Sequence, residues 1–193
     1  MAEDQPALSE DVTPDQFFEQ MLPMGFAAQA QQGGDGGAPR EATMQYHVTG
    51  PGGGDWTLVI SGGAMKSTKG TADAHVTFTV SVDDWRDAVL GRDGASLGLI
   101  LPQPRPGRPD NSARALALKG TMGLELSREG KDPFKVEMCF NNSATPKTVI
   151  KMKLAEYADM QTGKLNGQEA FMTGKLKVEG DLGFLMQIGQ MNM

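Results

Sequence analysis

Ala170-Phe-Met-Thr-Gly-Lys-Leu-Lys-Val-Glu-Gly-Asp-Leu-Gly-Phe-Leu-Met186 is the stretch that decides the fold. Leu176 and Val178 alternate with Lys175, Lys177 and Glu179, a period of two that predicts a half-buried strand ending at Gly180. Asp181 is placed to cap the following turn. Leu182, Leu185, Met186 and Gly189 then recur at three- and four-residue spacing, which predicts a helix with one apolar face. Phe171 and Met172 add an aromatic-aliphatic patch ahead of the strand. Such a helix must lie on something, and the plainest support is the protein's own core.

Working outward, 193 residues with 39% apolar and 22% charged side chains describe a globular chain with one sizeable core or two small ones. A net charge of -6 argues against nucleic acid or an anionic membrane as the main partner, since neither gains from a like-charged surface. The single cysteine, Cys139, permits no internal disulfide, which favours a reducing compartment and a cytoplasmic location. No apolar run approaches the roughly 20 residues that cross a bilayer. The acidic start, Met-Ala-Glu-Asp-Gln-Pro, does not read as a signal peptide. Thirteen methionines against two tyrosines and two tryptophans suit either a wall that adapts to its contents or a plastic core.

Residues 1–12 read as a disordered acidic tail. Thr13-Pro-Asp-Gln16 then has the form of a capping box, with Pro14 at the first helical position. Phe17, Phe18, Met21 and Leu22 give the helix that follows an apolar face, and Pro23 is expected to kink or interrupt it before Phe26. A glycine-rich loop, 31–39, ends it. Thr43 to Thr49 and Trp56 to Ser61 read as a hairpin joined by Gly50-Pro-Gly-Gly-Gly-Asp55. That glycine run is not a phosphate loop, because no Gly-Lys-Ser/Thr follows and no helix opens there. Strands near Ala64 to Lys69 and His75 to Val80 continue the meander, and Val82 to Leu90 reads as a helix stopped at Gly91.

Val76 to Gly91 can be laid over Thr148 to Gly163, matching Phe78 with Ile150, Val80 with Met152, Trp85 with Tyr157, Asp84 with Glu156 and Asp87 with Asp159. A second overlap sets Leu116 to Leu126 against Leu176 to Met186. Met122, Leu124 and Leu126 alternate with Gly123, Glu125 and Ser127, so 120–127 is read as a strand paired with Phe134 to Phe140. The proline-rich stretch 101–109 reads as an extended linker or surface loop.

The words AFMTGKLKVEGDLG at 170–183 and FFEQMLP at 17–23 resemble the sterol carrier protein type-2 family, small modules that hold lipids between a sheet and its covering helices. The resemblance implies an α+β fold, mainly antiparallel sheet covered by helices. With the repeat it implies two related strand-helix units, 13–100 and 114–193, joined through 101–113, either as separate units or within one compact domain. It implies a ligand wall made of Phe17, Phe18, Met21, Leu22 and Phe26 from the first helix, and of Phe171, Met172, Leu182, Phe184, Leu185 and Met186 near the C-terminus. The final helix would then be a lid over a lipid cavity. The implied function is non-catalytic binding and transfer of a sterol, fatty acyl thioester or phospholipid, with no cofactor and at most transient membrane contact. A partner enzyme or self-association would be compatible with it. Some family members end in a peroxisomal address, and Met191-Asn-Met193 is not one. A ligand burying about 400 Å² of apolar surface would gain on the order of 10 kcal/mol before binding costs, enough for micromolar affinity without a charged contact.

Two rivals stand beside this reading: an interaction module that has lost its cavity, and an enzyme using the cavity as an active site. Against the enzyme, His47 and His75 lie in predicted strands without acidic or cysteine neighbours at ligand spacing, so no metal site is expected. No serine sits in a nucleophile elbow, and Cys139 reads as an inert small hydrophobe within Val136 to Phe140. Asp83 and Asp84 diverge by about 100° on a helix start and read as capping residues. Glu156, Tyr157 and Asp159 repeat the arrangement, which argues for a shared structural role.

Overall fold

A computed structural model describes residues 9–31, 41–101 and 112–191. Most of the expected tail, the glycine-rich loop and the proline-rich stretch fall outside them. The capping box forms as the sequence dictates: the Thr13 hydroxyl accepts the Gln16 N–H, and the Gln16 side chain accepts the Thr13 N–H. Helix α1 (Pro14–Gln16) runs into a π-helical turn (Phe17–Met21) and then α2 (Leu22–Gln31). The interruption expected from Pro23 falls just ahead of it. The Leu22 N–H reaches back to the Phe17 carbonyl, five residues away, and so widens the helix where the proline ring would crowd the carbonyl four residues earlier.

Eight strands make one mixed sheet: β1 (Glu41–Thr49), β2 (Gly54–Ser61), β3 (Ala64–Lys69), β4 (Val76–Ser81), β5 (Gly120–Arg128), β6 (Lys131–Phe140), β7 (Lys147–Lys153) and β8 (Lys177–Gly180). Their order is β3-β2-β1-β4-β6-β5-β7-β8. β1 pairs with β4 and β5 with β7 in parallel; the other neighbours are antiparallel. Both hairpins therefore leave a parallel third strand beside their first one.

The pairing register sorts the side chains. Tyr46 opposite Trp56 and Phe78, Val80 opposite Val136, and Leu124 opposite Val136 and Ile150 place one apolar face along the whole sheet. A single core cluster joins that face to Phe17, Phe18, Trp85, Leu154, Ala170, Phe184 and Ile188 from the helices. The opposite face is polar and carries exposed ion pairs, Lys147 with Glu137 and Lys151 with Glu179. Cys139 sits on that face, level with Thr77 and Thr121, its thiol 3.6 Å from the Ser143 carbonyl. It is half-buried among polar neighbours rather than part of the hydrophobic core.

Helix α3 (Val82–Leu90) follows β4 and stops at Gly91 in left-handed geometry (φ 67°). Its cap is Ser81, whose hydroxyl accepts the Asp84 N–H. This corrects the capping role expected of Asp84: it is the third residue of the helix, and its carboxylate turns sideways to Arg128 and to the Lys135 N–H. Helix α5 (Leu154–Gln161) follows β7 in the same way, with Gly163 at φ 76° matching Gly91. The first overlap thus aligns like with like. The second does not: 120–128 is strand, whereas the residues set against it pass from β8 into helix α7 (Leu182–Met191). Helices α4 (Ser112–Ala117) and α6 (Gly167–Met172) complete the α layer.

Candidate lipid-binding site

The two groups of wall residues fare differently. Phe17 and Phe18 are core: Phe18 stacks on Trp56 at 4.9 Å between ring centroids, and Phe17 meets Trp85 edge-on at 5.7 Å. Met21, Leu22 and Phe26 lie half-buried along the same helix. Phe17 and Phe18 are both enclosed, Phe18 by Tyr46 of β1 and Trp56 of β2, and Phe17 by Trp85 of α3.

In the C-terminal group the burial is reversed. Phe171, Met172, Leu182 and Met186 are 54–77% exposed, Leu185 is half-buried, and Phe184 is fully inside. The face of α7 that meets the core is Phe184 with Ile188, not the Leu182, Leu185, Met186, Gly189 face that the spacing suggested. The helix carries no charged residue in Leu182–Met191, and its polar side is only Gln187 and Gln190, which leaves a broad apolar arc within which periodicity does not single out the core-facing residues. What orients it is local. Asp181 caps α7 through the Phe184 N–H at 2.7 Å, and the Phe184 ring lies where only a glycine fits beneath it: a Cβ on Gly120 would come 2.7 Å from Cζ.

Next to these helices the apolar sheet face is incompletely covered. Met44, Tyr46, Leu58, Phe78 and Val80 are buried, whereas Met138, Phe140, Ile150 and Val178 on the same face are only part-covered, as are Tyr157 and Met160 on α5. A soluble core does not usually leave strand residues of its inner face wet, and a run of them beside exposed phenylalanine and methionine is apolar surface without an occupant. The sequence reading missed Met138, Phe140, Ile150 and Val178, although alternation in β6 and β7 carries the signal. Methionine is frequent here, at Met122, Met138, Met152, Met160, Met172 and Met186.

Two clefts lie elsewhere. One of about 340 Å³ is lined by Ser9, Asp11, Val12, Gln16, Gln20 and Met21. The other, about 810 Å³, is lined by Asp83, Arg86, Asp87, Arg92, Arg128, Gly130, Lys131 and Asp132, charges of both signs that suit water better than lipid. At its floor Arg128 donates to Asp84 (2.8 Å) and Asp87 (2.7 Å), with Phe134 under the guanidinium at 5.7 Å. Lys131 bonds Asp93, and this bond, more than the surrounding charges, holds the Asp93 carboxyl below the usual carboxylate range. The counterpart in the second strand-helix pair is looser, with Lys175 3.9 Å from Glu156. The shared role inferred from the overlap therefore amounts to a buried pair of carboxylates on one arginine in the first copy and one surface contact in the second.

No group of three or more His, Cys, Asp or Glu side chains at metal-binding distance occurs among the described residues. His47 bonds Asp55 at 2.6 Å on the exposed polar face. His75 precedes β4 rather than lying in it, and its Nδ1 accepts the Thr43 N–H at 3.0 Å, a structural tie between β1 and the turn. No helix among the described residues is long and apolar enough to cross a membrane.

The apolar wall, the capped final helix and strands β5–β8 lie within a segment, 103–191, that matches the model of the SCP-2 sterol transfer family. That segment is somewhat under half of the chain, and strands β1–β4 lie outside it. It is 39% identical over 105 residues to "Peroxisomal multifunctional enzyme A" of Dictyostelium discoideum, a match covering 52% of this chain and 21% of that protein. The chain therefore spans about a fifth of that relative's length. The solution structure of the sterol carrier protein domain 2 of Helicoverpa armigera is 17% identical, with 93% of this chain and 88% of that one covered at a TM-score of 0.26. The inverting sec-alkylsulfatase Pisa1 from Pseudomonas sp. is 13% identical, covering 93% of this chain and 16% of that one at a TM-score of 0.27. Superpositions this loose leave the assignment resting on the sequence match.

Proposed function

We propose that the protein binds a lipid or similar apolar molecule without chemically changing it, and passes it to a membrane or an enzyme. The ligand lies between α6, α7 and the half-covered part of the sheet formed by β6, β7 and β8. The observation that carries this reading is the pairing of exposed Phe171, Met172, Leu182 and Met186 with part-covered Met138, Phe140, Ile150 and Val178. Burying such surface supplies affinity, and methionine side chains re-pack around ligands of different shape. Sterols, fatty acyl thioesters and phospholipids are the candidate ligands.

Two related strand-helix units sharing one sheet are part of the same proposal, supported by the like arrangement of β4 with α3 and β7 with α5. A cytoplasmic location is the expectation from the sequence. The peroxisomal name of the relative makes that organelle the rival, and fractionation of cells expressing the tagged full chain decides between them. The function is tested by native mass spectrometry of the purified protein with sterol, acyl thioester and phospholipid offered in turn. A saturable bound mass is expected for at least one class. Absence of binding by the folded chain across all three would leave the interaction module as the better reading.

A further inference from the structure

Phe18 fills an aromatic box in the other half of the molecule. Its ring stacks on Trp56, tilts against Tyr46 at 4.9 Å and faces Trp85 at 6.4 Å. The polar atoms of that box are unmatched. Tyr46 Oη, Trp56 Nε1 and Trp85 Nε1 are buried without a hydrogen-bond partner among the described residues. Burial holds the Tyr46 phenol well above its ordinary range, so it remains a neutral hydroxyl able to donate. Native cores seldom leave even one such group unpaired, and here three surround a single side chain.

The residue that closes the box comes from the least regular turn of the opening helix, the π-helical Phe17–Met21. Just ahead of that turn, Asp15 of α1 bonds Lys69 of β3 at 2.6 Å, and the same ammonium lies over the Trp56 ring at 5.6 Å. Both ionic partners are more than half exposed, so the tie is easily broken in water. Lifting the turn would also withdraw Phe17 and Phe18 from the core, so the closed form is favoured and opening requires a ligand that supplies equivalent burial.

We propose that this box is a second ligand site, closed by Phe18, and that it takes the oxygen-bearing end of an apolar molecule when the turn lifts. The indole N–H groups only donate, so the complementary ligand group is an oxygen acceptor, a hydroxyl or a carbonyl. Flat aromatic walls select the attached apolar body by stacking and dispersion. This inference rests on the lipid-binding reading above but concerns a different place in the fold.

The two tryptophans of the chain are both in the box, so intrinsic fluorescence reports on it directly. The full-length protein is titrated with methyl 9,10-dibromostearate, whose bromines quench indole on contact, and with methyl stearate as the silent equivalent; native mass spectrometry measures how much of each is held. With equal occupancy, tryptophan emission of the brominated complex is expected to fall at least about twofold below that of the methyl stearate complex. Phe18→Leu, which keeps the core apolar, is expected to reach the same quenching at several-fold lower ligand concentration, and Phe18→Ala lower still. Retained ester with no quenching in the wild type or in Phe18→Leu would overturn the box while leaving the carrier function standing. No retained ester in any folded variant would overturn both.

Discussion

Arg128 lies with Nη2 2.8 Å from Asp84 Oδ1, both side chains less than a tenth exposed, and this contact fastens the turn between β5 and β6 to the first turn of α3. The same guanidinium takes Asp87 at 2.7 Å and donates to the Asp132 carbonyl at 2.9 Å. One arginine thus neutralises two carboxylates contributed by a segment more than forty residues earlier in the chain.

Removing that arginine leaves the enclosed Asp84 carboxylate without a counter-charge and Asp87 with only Lys131, at 3.7 Å. Arg128→Ala is expected to destabilise the fold by about 3–5 kcal/mol in urea unfolding. Arg128→Ala combined with Asp84→Ala should recover part of the loss. Independent, additive losses in that double-mutant cycle would show that the pair is not coupled.

Gly120 is held at φ 133° with Phe184 Cζ and the Pro146 carbonyl where a Cβ would go. Gly120→Ala is expected to cost about 1–3 kcal/mol from backbone strain alone, and to push Phe184 and α7 off the sheet. Hydrogen exchange should show α7 amides losing protection while those of β1 and β2 keep theirs. Equal loss in both places would mean that α7 is not separately anchored.

Phe171 is 54% exposed and so is not needed for the core. Phe171→Asp is expected to change stability by less than about 0.5 kcal/mol, the usual range for a surface site, while weakening lipid binding by tenfold or more, because the ligand would have to bury a carboxylate. Leu185→Asp, at a half-buried position, should lower both. Undiminished binding in Phe171→Asp would remove α6 from the site.

Asp93 and Lys131 shift each other in opposite directions: their hydrogen bond lowers the carboxyl and raises the ammonium, ahead of the neighbouring charges. A lowered folded-state value means that Asp93 contributes stability above its ordinary pKa and loses it as pH falls through the folded one. Lys131, raised, keeps its contribution below its ordinary pKa and loses it as pH climbs through the folded one. Both groups are open to solvent, so the effect is small and salt-sensitive. In a carboxyl NMR titration Asp93 should titrate below the usual aspartate range, and in Lys131→Met it should move back up. A titration unmoved by that substitution would exclude the hydrogen bond as the cause.

Local rules reached the parts of the fold that local physics controls. Thr13 and Gln16 read as a capping box because both partners lie within one turn, and α3 ends at Gly91 because a left-handed residue is needed there. The alternation in 120–127 was sufficient for β5. The orientation of α7 was not legible, since Leu182, Phe184, Leu185, Met186 and Ile188 spread over more than half of the helix circumference and no charged residue marks the outer side. Asp84 was misjudged because its partner is an arginine distant in sequence, and no local pattern marks such a pair.

By itself, then, the sequence determined the kinds of elements, most of their caps and stops, and the likeness of 103–191 to the SCP-2 sterol transfer family, because these depend on residues within a few positions of each other or on a contiguous motif. Tertiary structure alone decided that β4 pairs with β6 to make one eight-stranded sheet, that Phe17 and Phe18 go inside while Phe171 and Met172 stay out, and that Arg128 gathers Asp84 and Asp87. The physical reason is that burial belongs to a pair of surfaces. An apolar side chain carries the same signal wherever it stands, and only the element packed against it determines whether it fills a core or waits for a ligand.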